Sequence, residues 1–224
     1  CSDSKTIPVT VAAKPAVSFQ PCFDLTTTLN AKPIQLKGGL PVGSTGIYSV
    51  GAPVVNPATY FTPSSLGSHN IYFSFTNASG CIASTPAVTI TVLDPSTLFS
   101  GCGSTLTDKR ENPPKVYKTV QIGSQCWMQE NLRFGSNTSY LSPQTDNCIF
   151  ERYCLSSDAN CTRFGALYQW DELMHYNGSD RAQGFCPPGW HVPNESAWNT
   201  LINNISLGVG NGVAGSYLTD LNTL

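Results

Sequence analysis

Nine cysteines are scattered through this 224-residue chain, and no two of them stand in a C-x-x-C spacing. Zinc sites and thioredoxin-like redox centres are marked by that spacing, because two thiolates must converge on one ion or on each other. Cysteines spread among Gly, Pro, Ser and Thr read instead as disulfides made outside the cytoplasm. The charge balance agrees: 12% of the residues are charged and the net charge is −2, low for a cytosolic protein and no basis for a nucleic-acid face. No run of 18 or more apolar residues occurs, so no segment reads as a membrane span. Nor does a cationic start lead into an apolar run, which places any export signal outside these residues.

Residues 15–94 read as an all-β sandwich. Short β-branched and aromatic runs at 16–19, 33–36, 46–50, 58–61, 70–77 and 87–93 are separated by Gly, Pro, Asn and Ser turns, and helical periodicity is missing. Alternation turns Ile71, Phe73 and Phe75 inward and Tyr72, Ser74 and Thr76 outward, and Ile90 and Val92 repeat the pattern. CSDSKTIPVTV at 1–11 is similar to CIASTPAVTITV at 81–92, which points to an internal repeat. Residues 1–14 are then expected to be the last strand of a preceding module, with the partner of Cys1 upstream. The alternative is a lipoprotein whose Cys1 carries the lipid.

The order Cys22, PIQLKGGLPVGSTGIYS, YFTPSSLGSHNIYFSFTNASGC and a Thr-rich last strand resembles the Ig-like repeats found in tandem in large surface proteins of Bacteroidetes. The resemblance implies a spacer or adhesive stalk. It also implies a Cys22 to Cys81 bond, which would enclose most of the module and stabilise it by about 4 kcal/mol through loop entropy.

Residues 95–114, rich in Pro, Ser, Gly and Thr, read as a linker that buries little, with Cys102 tying it to a neighbouring domain. The second module, 115–224, opens with the alternating strand 116–122, a Gly123-Ser124 turn and the return strand 125–128. Trp127, in the middle of that return strand, reads as core. Residues 135–161 are polar and loop-like, so Cys154 and Cys161 are expected to pair locally. Cys102, Cys126, Cys148 and Cys186 share the remaining bonds, with three connectivities open.

Further on, Trp170, Leu173 and Met174 fall at helical spacing and read as one core stripe. In CPPGWHVPNESAW at 186–198, Pro187, Pro188 and Gly189 set a rigid turn that delivers Trp190 inward. Asn194 or Ser196 then caps a helix with Trp198, Leu201, Ile202 and Ile205 on its apolar side. Three blocks, VYKTVQIGSQCWMQENL at 116–132, YCLSSDANCTRFGALYQWDELM at 153–174 and GFCPPGWHVPNESAWNTLI at 184–202, resemble the family called the Fibrobacter succinogenes major paralogous domain. This resemblance implies a secreted or surface-exposed module. HVPNESAW is also similar in layout to the R-L-P-T-E-x-E-W segment of formylglycine-generating enzymes, which implies a mixed α+β, C-type-lectin-like fold. His191 and Asn194 replace that segment's Arg and Thr, and the polar tail from Ser206 to Leu224 is expected to leave the domain truncated.

Catalytic groups are not expected. Asp171 and Glu172 are adjacent on a helix, diverge and read as a solvated face, His191 reads as a hydrogen-bonded structural residue, and His69 and His175 lack partners at metal spacing and read as surface residues. GNGVAG at 210–215 follows a helix, where a dinucleotide loop follows a strand. The sequence therefore predicts a non-enzymatic extracellular module without metal or cofactor. Its work would be adhesion, surface architecture or contact with glycans or other surface proteins, beside further domains of the same long chain. Part of an enzyme related to formylglycine-generating oxidases is the alternative, as is a filament or lipoprotein subunit.

Overall fold

The computed structural model describes residues 4, 11–43 and 45–206. Cys1, most of the expected strand over 1–14, the GNGVAG run and the polar tail lie outside the described residues. The chain is mostly β with few helices, and its sheets are not closed. Among the described residues, fourteen strands precede or interleave with three α-helices: β1 Ser18–Phe19, β2 Thr26–Thr28, β3 Ile34–Gln35, β4 Gly39–Leu40, β5 Gly46–Val50, β6 Tyr60–Phe61, β7 Gly67–Thr76, β8 Ile82–Ser84, β9 Val88–Leu93, β10 Thr105–Asp108, β11 Lys115–Ile122, β12 Gln125–Met128, β13 Ser136–Asn137 and β14 Glu151–Arg152. The helices are α1 Asp158–Phe164, α2 Trp170–Leu173 and α3 Glu195–Ser206.

Two compact units emerge. The first takes the described residues up to Phe23, Pro33–Phe61 and Ser68–Ile90; the second takes Asp24–Lys32, Thr62–Gly67 and the chain from Thr91 onward.

In the first unit, β7 is the central strand. β5 pairs with it antiparallel, Gly46 opposite Phe75 and Val50 opposite Ile71, and β8 pairs with its other edge at Ser74 to Thr76. The shorter pairs β1 with β4 and β3 with β6 complete it. Alternation works as the pattern predicts for Ile71, Phe73 and Ile90, all buried. Ser74, expected to face outward, is also buried, because β8 covers it and the Ser74 and Ser84 hydroxyls meet at 2.7 Å. Phe19, Phe23, Tyr48 and Phe73 form a chain of ring contacts 5.1–6.5 Å apart. Tyr48 accepts a hydrogen bond from Gly39 N at 2.9 Å. Gly39 must stay small: a Cβ there would sit 2.3 Å from the Phe73 ring.

The expected Cys22 to Cys81 bond does not form. Cys81 carries a free thiol, while Cys22 is buried and disulfide-bonded. The turn that delivers Cys81 is closed by Asn77, whose side-chain oxygen accepts from Ser79 N and Cys81 N, and it aims the sulfur at Ala12 O, 3.7 Å away. Cys22 instead lies beside Gln20 and Gly38.

In the second unit, β11 lies between β10 and β12 in a three-stranded antiparallel sheet. The hairpin has the predicted form, with Val120 opposite Trp127 and Gly123 in the left-handed region at the turn. β2 runs parallel to the last residues of β9, and β13 parallel to β14. Residues 95–114, expected to bury little, are built into this unit: they carry β10 and bury Leu98, Leu106 and Asp108. Cys102 and Cys126 are joined across the sheet, and Cys154 and Cys161 around the start of α1. Asn194 caps α3 by accepting from Ala197 N at 2.8 Å. That helix buries Leu201, leaves Trp198 and Ile202 half exposed, and stacks Trp198 on Trp127 at 5.1 Å.

The stripe expected at Trp170, Leu173 and Met174 is broken up. α2 has a single turn, so Trp170 stays 62% exposed while Met174 joins Ala182 and Val192 in a small core. The larger core is aromatic. Phe185 makes edge contacts with Phe134, Phe150 and Tyr168, and His175 stacks on Phe150 at 5.1 Å.

Beside this cluster lies Arg110, its side chain 2% exposed. It grips Asp108 through two nitrogens at 2.9 and 2.7 Å, reaches Asp24 at 3.1 Å, donates to Phe185 O at 2.8 Å and sits 3.8 Å over the Phe134 ring. Asp24 also accepts from Gln183. Burial pushes the Asp24 carboxyl up against the pull of Arg110, and the two carboxylates hold the guanidinium charged. Removing the cation strands two acids away from water. Arg110→Met is therefore expected to lower stability by about 3–5 kcal/mol, measured as the shift in urea midpoint at pH 7, and a shift under about 1 kcal/mol would contradict the arrangement.

Candidate functional site

Sequence places Glu-Asn-Pro-Pro-Lys-Val at 111–116, just where β11 begins. Two prolines fix φ and offer no N–H, so the chain enters the sheet in one rigid path. Residues 111–116 together with Arg133 and Arg152 line an open groove of about 680 Å³. Lys115 starts β11, Arg152 ends β14, and Arg133 lies on the connection that follows β12.

The groove is held by a shared acceptor. Arg133 O accepts from both the Lys115 ammonium and the Arg152 guanidinium. Glu111 accepts from Gly135 N at 2.8 Å and pairs with Lys115. Arg152 also pairs with Asp158 Oδ1 at 3.2 Å, while its Nε is buried without a hydrogen-bond partner. The Arg133 guanidinium stands 4.7 Å over the Tyr117 ring and donates to Val116 O at 3.1 Å.

Three cations and one carboxylate thus face the same opening. Burial holds the Lys115 pKa below the usual lysine range; Glu111 opposes this, and the charges of Arg152 and Arg133 add to it. Cations packed this closely repel one another and favour any anion that enters between them.

The groups singled out in the sequence are dispersed. Asp171 is exposed, but Glu172, expected on a solvated face, is buried, accepts from Glu151 N at 3.0 Å, and has its pKa raised by that burial. His191 accepts from Arg181 Nε at 3.4 Å, and burial together with Arg181 lowers its pKa. His69 packs at a tilt against Phe61, 5.2 Å between ring centres, and His175, expected at the surface, joins the aromatic cluster. Trp190 meets Phe99 edge-on at 5.4 Å. Among the described residues, no group of three or more His, Cys, Asp or Glu converges as a metal site.

Of the cysteine candidates, Cys102 bonds Cys126 and Cys154 bonds Cys161. Cys148 is disulfide-bonded, whereas Cys186 carries a free thiol. The groove residues went unnoticed in the sequence because lysine and arginine in polar loops read as solvated. The Pro-Pro pair just before an alternating strand was the available signal.

A family model described as the Fibrobacter succinogenes major domain matches residues 120–223. Arg133 and Arg152 lie inside the match, and residues 111–116 precede it. No curated protein and no solved structure matches the chain.

The two free thiols among the described residues differ in a measurable way. Burial pushes the Cys186 thiol up to about 12, and alkylation proceeds through the thiolate. At pH 8, iodoacetamide is expected to label Cys81 in the native protein and to label Cys186 roughly a thousandfold more slowly than an ordinary thiol. Denaturation should equalise the rates; equal rates in the native state, read by peptide mapping, would contradict the buried placement.

Proposed function

We propose that this chain is a non-catalytic extracellular module of a large bacterial surface protein, in which the first unit is an Ig-like spacer and the second a binding domain. The match over residues 120–223 supports a surface-associated module. The disulfides among the described residues, and the fact that no described helix is long and apolar enough to cross a membrane, are consistent with work outside the cell. On this reading the second unit has a mixed α+β, C-type-lectin-like architecture, and residues 15–94 and 115–224 act as successive domains of a longer chain. Its partners are glycans or other surface proteins.

The observation that carries the reading is the open cationic groove, whose walls are fixed by β11, by β14 and by the shared carbonyl of Arg133. A binding site with a preset shape loses little ordering entropy when its ligand arrives. Disulfides next to the groove serve the same end, since Cys154–Cys161 tethers the segment that carries Arg152 and Asp158.

The direct test is a panel of immobilised polysaccharides and extracellular-matrix proteins probed with the whole chain. Saturable binding to at least one surface is expected, and it should fall at least tenfold once the disulfides are reduced and alkylated. Absence of saturable binding to every surface would sink the proposal.

A further inference from the structure

Resting on the binding-module reading, we infer that the groove at residues 111–116, Arg133 and Arg152 takes an anionic sugar, a carboxylate or sulfate group carried on a polysaccharide chain.

Charge comes first. Lys115, Arg133 and Arg152 face the opening against Glu111, already engaged by Gly135 N and Lys115, while Asp158 pairs with Arg152, so three cations meet two carboxylates. Lys115 retains a third ammonium proton beyond its contacts with Glu111 and Arg133 O. Arg133 spends one nitrogen on Val116 O and keeps the rest of its fork, and the buried Arg152 Nε has no acceptor. The free part of the Arg133 fork and the remaining Lys115 proton therefore offer an entering oxyanion charge-assisted hydrogen bonds. Planar guanidinium forks match the two oxygens of a carboxylate or sulfate.

Backbone chemistry then separates a sugar from an acidic peptide. Extended peptides are held through main-chain hydrogen bonds to an open strand edge. In this groove Pro113 and Pro114 have no N–H, and the carbonyls of Val116 and Arg133 are taken by side chains of the site itself. What stays on offer is a set of cationic donors beside two flat proline rings and Val116, which is 45% exposed. A pyranose ring bearing one acidic group presents the complementary surface, an apolar face with a charge at its edge. The open shape and the volume of about 680 Å³ leave room for a chain to continue past the bound residue.

The test is affinity electrophoresis of the whole chain through gels containing polygalacturonate, heparin or neutral dextran, with polyglutamate as the peptide arm. Retardation is expected in polygalacturonate or heparin, none in dextran or polyglutamate, and it should weaken as ionic strength rises. Arg133→Gln should weaken retention about tenfold, as removal of one charge-assisted contact predicts. Arg133→Lys should recover part of it, and Arg152→Gln should weaken retention as well. Thermal unfolding of each variant reports on folding; Arg133→Gln is informative because it removes no buried ion pair. The two acidic polysaccharides tell carboxylate from sulfate. Retention that is indifferent to Arg133 and Arg152, or equal for dextran, overturns the groove assignment while leaving a binding module in place. Polyglutamate retention at the polysaccharide level overturns the sugar as ligand. No retention in any gel, together with no binding across the surface panel, removes both readings.

Discussion

Arg110 is a full charge taken out of water, and the second unit is arranged to make that tolerable. Two carboxylates, one carbonyl and one aromatic face meet it from four separate stretches of chain: Asp24, Asp108, Phe185 and Phe134. A buried pair of this kind contributes little net stability over an apolar substitute, yet it tolerates few rearrangements, because any register that misplaces one partner leaves a charge exposed to low dielectric. The aromatic cluster around Phe185 is assembled on the same residues. Position and charge are therefore set together, and strand β11 is delivered beside them.

From that centre the groove follows. Asp108 ends β10, Arg110 lies two residues on, and Glu111 begins the lining of the groove. The short rigid path through Pro113 and Pro114 leads straight into Lys115. Tyr117, fully buried in β11, supports the Arg133 guanidinium from below, and its hydroxyl accepts from Arg133 N at 3.3 Å. A core and a surface cleft thus share one strand: Lys115 and Val116 at its start line the cleft, and Tyr117 and Thr119 are buried.

Parts of this were legible in the sequence for clear reasons. The β11–β12 hairpin could be read from alternation ending in Gly-Ser, and the α3 cap from Asn194 before an amphipathic run, since both signals are local. The local pair Cys154 and Cys161 could be read from a polar loop too poor in apolar residues to hold its shape without a cross-link, although Cys148 stands just as near in sequence. Arg110 could not be read, because its stretch looks like a solvated linker and one partner, Asp24, lies 86 residues away. Trp170 misled by its spacing: three apolar residues at helical intervals describe a core face only if the helix lasts, and α2 stops after one turn. Cys22 and Cys81 misled for a related reason. Both fall where a sandwich could join them, but sequence says nothing of where each sulfur points, and the Asn77 turn aims one of them elsewhere.

The Cys102–Cys126 bridge spans 24 residues and encloses β10, β11 and the hairpin turn. A chain tugged at its ends transmits force through the sulfur atoms and bypasses β10 and β11. If everything else unravelled, the enclosed strands would add nothing to the contour, shortening the taut polymer by about 80 Å relative to its reduced form. Oxidation thereby sets a mechanical limit: however hard the two ends are drawn apart, β10, β11 and the groove's entry remain inside a loop that carries no load.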